Sequence, residues 1–140
     1  MEWVLINMTE KLSSKSKLIN KTILIVEESE ALRQTIATVC SHWGANTILS
    51  GDCKEAIGIT LIRKPDLIIY HPGREKRKGY YVCRVLKNLP DTKKIPILLT
   101  VSDYWAFRDP EVKIPAFDDY INKPFGAIDL IEKVEQLMGC

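Results

Sequence analysis

Four places along this chain put reactive side chains on or directly after short aliphatic runs. Glu27 and Glu28 follow ILIV, His71 follows LIIY, Thr100 and Ser102 close PILLTVS, and Lys123 with Pro124 follows DDYIN. Adjacent carboxylates at such a place hold a cation, pair with a lysine, or simply open a helix whose dipole favours negative charge. An imidazole there is a polar loop residue, a soft-metal ligand or a phosphoryl acceptor. Thr100 taken alone is an ordinary strand-end threonine. Four cysteines, Cys40, Cys53, Cys83 and Cys140, share no two- or three-residue spacing. Neither a zinc knuckle nor a redox pair is signalled, and all four read as reduced thiols.

For these groups to meet, the aliphatic runs must lie side by side. From residue 22 onward short β-branched runs alternate with stretches of helical period, the pattern of a parallel sheet with helices on both faces. Residues 22–26 form an unbroken apolar run suited to a central strand buried on both sides. Ser29 stands at an N-cap, and Leu32, Ile36, Val39, Cys40 and Trp43 recur on one helical face before Gly44 closes the helix. Residues 46–50 read as the second strand, Asp52 as the cap of a helix to about residue 63, and Pro65 as its stop. Residues 66–70 are the third strand, 71–78 a loop, 79–88 a helix with Val82, Cys83 and Leu86 inward, and 94–100 the fourth strand. Pro110 and Pro115 interrupt the stretch after the fourth strand, so only residues 104–108 can make a turn or two and the helix there is short or irregular. Residues 117–121 are the fifth strand, and Ala127, Leu130, Ile131, Val134, Leu137 and Met138 stripe a final helix. The fold class is α/β, a single doubly wound five-stranded parallel sheet, and in such sheets ligands gather at the carboxyl ends of the strands.

The chain has 140 residues, 46% of them apolar and 27% charged. That is one domain with a real core. Residues 21–140 carry the fold, and residues 1–20, rich in Lys and Ser from residue 9 to 17, read as an appended arm or leader. A net charge of +2 makes no global case for nucleic acid. The apolar runs at 23–26, 67–70 and 97–99 fall far short of the roughly 20 residues that span a bilayer. Residues 1–8 lack the basic lead and sustained apolar stretch of a secretory signal, so a reducing cytoplasm is the expected location.

The phrases ILIVEESEALR, KPDLIIYHPG, GYYVCRVLK, IPILLT and DDYINKPF, taken together, resemble the receiver domain of bacterial two-component response regulators, over about residues 21–140. The resemblance implies a flavodoxin-like sheet of order 2-1-3-4-5. It also implies an acidic pair that holds Mg²⁺, an aspartate that accepts a phosphoryl group, a Thr or Ser that answers to it, and a Lys that contacts it. Those roles fall on Glu27 and Glu28, on His71, on Thr100 and on Lys123. The departure is His71, since an imidazole does not form the acyl phosphate of the ordinary switch. Imidazole for carboxylate, with both acidic partners lengthened from Asp to Glu, weakens a site built for hard oxygen ligands in tight geometry. Mg²⁺ binding is expected to be weak or absent, with no other cofactor. Lys123, facing no aspartate, is expected to pair with Glu27 or Glu28, because an unpaired ammonium in a partly buried crevice is costly. Such a pair would mimic one fixed state.

Tyr120 stands where the family carries an aromatic that reports the switch. With Tyr104 and Trp105 it makes a candidate partner surface. The loop GREKRK at 73–78 is strongly basic, and is either a solvated loop or an anion or nucleic-acid contact. A flavodoxin-type phosphate cradle is disfavoured, because EES after the first strand is acidic and has no glycine. The expected function is that of a pseudo-receiver, a binding module rather than an enzyme. Its partner would be a histidine kinase, an output domain or another regulator, or a second copy in a homodimer, with no membrane. The rivals are a phosphorelay receiver that uses His71 as acceptor, and an accessory nucleic-acid or anion-binding module.

Overall fold

An apolar run with no polar alternation is satisfied only where both faces of its strand are covered, and the first strand meets that condition. The computed structural model describes residues 17–74, 76–102 and 117–140. Within it, β1 (Thr22–Val26) lies between β2 (Asn46–Ser50) and β3 (Leu67–Tyr70), with β4 (Ile97–Val101) and then β5 (Asp119–Asn122) beyond β3. All four pairings are parallel, which gives the order 2-1-3-4-5.

Alternate residues of these strands feed two separate cores. Ile23, Ile25, Leu67, Ile69 and Leu98 pack toward α1 (Glu30–His42) and the C-terminal helix, meeting Ile36, Cys40, Leu130, Ile131 and Val134. Leu24, Val26, Ile68, Tyr70 and Leu99 pack toward α2 (Cys53–Arg63) and α3 (Lys76–Asn88), meeting Ala56, Cys83 and Leu86. The C-terminal helix, α4, spans Ala127–Leu137. Among the described residues two helices cover each face, and the parallel strands put all five carboxyl ends at one end of the sheet.

Local chemistry sets the helix ends. Ser29 Oγ accepts the Leu32 amide at 3.3 Å, and Asp52 Oδ1 accepts the Lys54 amide at 2.9 Å, as N-cap residues do. After α1 the chain turns through Gly44 at φ 99°, and α2 stops at Lys64, held left-handed at φ 45°, just before Pro65.

Four boundaries differ from the sequence reading. α3 begins at Lys76, so part of the basic run assigned to a loop is the helix's first turn. Gly79, which reads as a helix start, is instead a point of close approach. A Cβ there would come within 2.6 Å of the Pro72 carbonyl carbon, and the Gly79 carbonyl accepts the Tyr70 hydroxyl at 2.8 Å. β4 begins at Ile97 rather than residue 94, because Thr92 to Ile95 close a turn. β3 and β5 start at Leu67 and Asp119, since Asp66 and Asp118 use their carboxylates to hold the Thr22 and Ile97 amides, each at 2.7 Å. Leu18, placed in the arm by composition, is fully buried in the same core cluster as Ile23 and Val134. The rest of the arm and the 104–108 turn lie outside the described residues. Among the described residues no helix is long and apolar enough to cross a membrane.

Candidate functional site

The sheet delivers Glu27, Glu28, His71 and Lys123 to one crevice, while Thr100 is buried beneath the strand ends and Ser102 lines a separate hollow. Glu27 extends the ladder beyond β1, its amide bonded to the Ser50 carbonyl at 3.0 Å, and its side chain is only 3% exposed. Lys123 extends β5 in the same way, its amide bonded to the Val101 carbonyl at 2.8 Å. Lys123 Nζ donates to Glu27 Oε1 at 2.6 Å, so of the two acidic partners expected for it the lysine takes the first. The other oxygen, Glu27 Oε2, accepts the Ser29 amide at 3.3 Å. A carboxylate this buried is tolerable only with its charge matched and both oxygens bonded, and both conditions hold.

Glu28 turns away from Lys123 and toward the loop after β3. Its Oε1 accepts the Arg74 amide at 3.3 Å and lies against Gly73, whose φ of 84° and bare Cα make room for it. His71 continues β3, its amide bonded to the Val26 carbonyl at 2.9 Å. Its ring crosses to the next strand, where Nδ1 lies 3.0 Å from the Thr100 carbonyl oxygen. A carbonyl only accepts, so Nδ1 is the donor in this bond. Glu27, Glu28, Ser29, His71, Gly73, Arg74 and Lys123 line a cleft of about 360 Å³. Thr100 is 1% exposed, and its hydroxyl makes no hydrogen bond among the described residues. A second hollow, of about 390 Å³, opens on the far side of Lys123 against Leu32, Ser102, Pro124 and Phe125.

Residues 23–135 match the family model of the response regulator receiver domain. This chain belongs to that family. Among its relatives, the probable transcriptional regulator ycf27 of Cyanophora paradoxa is 31% identical over 119 residues, 84% of this chain and 48% of the relative. The phosphate regulon transcriptional regulatory protein PhoB of Pseudomonas aeruginosa is 29% identical over 125 residues, 86% of this chain and 53% of the relative. The receiver thus spans about half the length of these two relatives. Among solved structures, the signal receiver domain of a histidine kinase from Syntrophus aciditrophicus superposes with a TM-score of 0.73 at 31% identity, covering 85% of this chain and 90% of that one. The receiver domain of the sensor histidine kinase PA1611 from Pseudomonas aeruginosa shares the fold with a TM-score of 0.76 at 20% identity, covering 86% and 98%.

In a receiver the crevice invites Mg²⁺, and the donor set here fits it poorly. Glu27 Oε1 is taken by an ammonium, Glu28 Oε1 by a backbone amide, and the third position offers an imidazole nitrogen rather than an oxygen. Tyr120 is half-buried, edge-on to Phe117 with ring centroids 6.4 Å apart, and Lys133 Nζ stands 6.0 Å from its ring centroid. Tyr104 and Trp105 lie outside the described residues, so only Tyr120 of the candidate partner surface is placed. Arg33 escaped the sequence reading. Its Nη1 donates to the Glu27 carbonyl at 2.7 Å and occupies the space that a side chain at Gly51 would fill, which ties the loop after β1 to the loop after β2. Its position on the turn after Ser29 was the one available signal.

Proposed function

We propose that this receiver is a pseudo-receiver of two-component signalling, a protein-binding module that works without aspartyl phosphorylation. The observation that carries the reading is the internal closure of the cleft. Glu27 and Lys123 neutralise each other at 2.6 Å, and His71 spends its Nδ1 proton on the Thr100 carbonyl. In the family the lysine contacts the phosphoryl group and the threonine answers to it. Here the lysine already has a resident anion, which suits one standing conformation rather than a switch between two. Mg²⁺ then binds weakly or not at all, and the chain acts as a binding partner rather than an enzyme.

The partner is a signalling protein of the same system, a histidine kinase, an output domain or another regulator. The surface that meets it includes Tyr120, the one member of the candidate partner surface among the described residues. Beryllofluoride with Mg²⁺, the phosphoryl mimic for receivers, tests the reading. Amide spectra and melting temperature stay unchanged across the titration if it is right, and a saturable response overturns it.

A further inference from the structure

The positive charge of this chain is gathered on one element. Residues 74–87, REKRKGYYVCRVLK, hold six Arg or Lys and one Glu, a net of +5, so the rest of the chain carries −3 against a total of +2. Charge segregated in this way marks a stripe that meets a polyanion. Most of the run lies on α3, which has no acidic residue along its 13 positions and therefore sets cations at the helix end whose dipole favours anions. Burial decides which side chains face outward. Val82, Cys83 and Leu86 are buried in the core, which leaves Lys78, Tyr81 and Arg84 exposed at every third position, Tyr81 by 62%. The three stand along about 9 Å of helix axis, one aromatic ring between two cations. Lys87 is spent on Asp118 at 2.9 Å, whereas Arg84 makes no ion pair among the described residues.

We propose that the outer face of α3 binds single-stranded nucleic acid, with Lys78 and Arg84 holding phosphates and Tyr81 stacking on a base between them. Cations that track a backbone beside an exposed ring are what a single strand needs, since its unpaired bases offer flat faces. A duplex presents only base edges in its grooves, and an acidic protein tract satisfies the cations while leaving the ring without a flat partner. Arg74, exposed just before α3 and at the lip of the cleft, carries the positive stripe toward the strand ends. The low net charge of the whole chain is compatible with this, because the cations that matter are concentrated on one helix. Lys78, Tyr81 and Arg84 are not among the residues that line the cleft. The proposal therefore goes beyond the pseudo-receiver reading and does not depend on it.

The test is fluorescence anisotropy of a labelled oligothymidylate of about 20 nucleotides, titrated with the full chain at several salt concentrations, with poly-L-glutamate as competitor. Saturable binding that weakens as salt rises is expected, with poly-L-glutamate competing poorly. Tyr81→Ala should weaken binding about tenfold, and Tyr81→Phe, which keeps the ring, should restore most of it. Arg84→Ala should weaken binding and lower the salt slope by about one contact. All three substitutions fall on exposed positions, and matching melting temperatures confirm that the variants fold. No saturable binding at low salt, or an affinity that Tyr81→Ala leaves unchanged, would overturn the proposal. Competition by poly-L-glutamate equal to that of unlabelled oligothymidylate would overturn it in favour of an acidic protein partner.

Discussion

Lys123 reaches across the crevice to Glu27, 96 positions earlier in the chain, and closes to 2.6 Å on a carboxylate that is 3% exposed. The pair joins the end of β5 to the end of β1 over two intervening strands. Removing one partner leaves the other charge in a place poor in water. Lys123→Met should therefore cost about 3 kcal/mol in urea unfolding, and Glu27→Gln less, since the amide keeps the shape and part of the hydrogen bonding. The double variant should be less destabilised than the sum of the two, and additive losses in that cycle would show that the pair does not act as a unit.

His71 ties β3 to β4 through the Thr100 carbonyl at 3.0 Å. His71→Ala loses that bond and should lower stability by about 1 kcal/mol. His71→Asn, whose amide nitrogen can occupy the Nδ1 position, should keep most of it. Equal losses in the two variants, read from denaturant midpoints, would assign the ring a packing role only.

His71→Asp puts a third carboxylate beside Glu27 and Glu28. The added like charge in the cleft should destabilise the fold by about 1–2 kcal/mol at neutral pH, and Mg²⁺ should restore the loss in this variant while leaving the parent unmoved. A melting temperature that responds equally to Mg²⁺ in both proteins would contradict the assignment of His71 as the departure that disables the cleft.

Two glycines should answer oppositely to alanine. Gly79→Ala drives a methyl group into the Pro72 backbone and should cost 2 kcal/mol or more, roughly the cost of overpacking a rigid contact. Gly58→Ala, on α2 where an added Cβ meets nothing within 4 Å, should gain about 0.5–1 kcal/mol. Thermal unfolding of the two variants decides both.

Burial pushes the Cys40 and Cys83 thiols up from an ordinary 9.0 to about 12. Between those values the unfolded chain has lost its thiol protons while the folded one keeps them, so the unfolded state binds fewer protons and stability falls as pH rises. Urea midpoints should be flat from pH 7 to about 8.5 and then decline, by at most about 1.4 kcal/mol per pH unit for each thiol. Cys40→Ala should lower the starting stability and flatten the decline. A midpoint that stays level to pH 11 would contradict burial of these thiols.

The alternation of strands and helices and the grouping of Glu27, Glu28, His71 and Lys123 were legible because aliphatic runs and helical periods leave marks on side-chain types, whereas the strand order came with the receiver resemblance. β1 and β2 occupy the residues read for them. The misplaced boundaries turned on local bonds and close approaches: the Asp66 and Asp118 carboxylates, the turn closed between Thr92 and Ile95, and the Pro72 backbone beside Gly79. Gly79 reads as the helix start on paper yet sits inside α3, because the Pro72 backbone permits no side chain there. The Thr100 carbonyl that holds His71, and the Arg74 amide that holds Glu28, are main-chain partners that any residue would offer. Leu18 looked like part of a polar leader, and only the packed core shows the apolar gap it fills.

The most direct measurement is the intact mass of the protein after incubation with acetyl phosphate and Mg²⁺, before and after hydroxylamine, which cleaves acyl phosphates. An unmodified mass is expected throughout. A gain of about 80 Da that hydroxylamine removes would mean that a carboxylate in this domain accepts phosphorus, contradicting a module that signals without it.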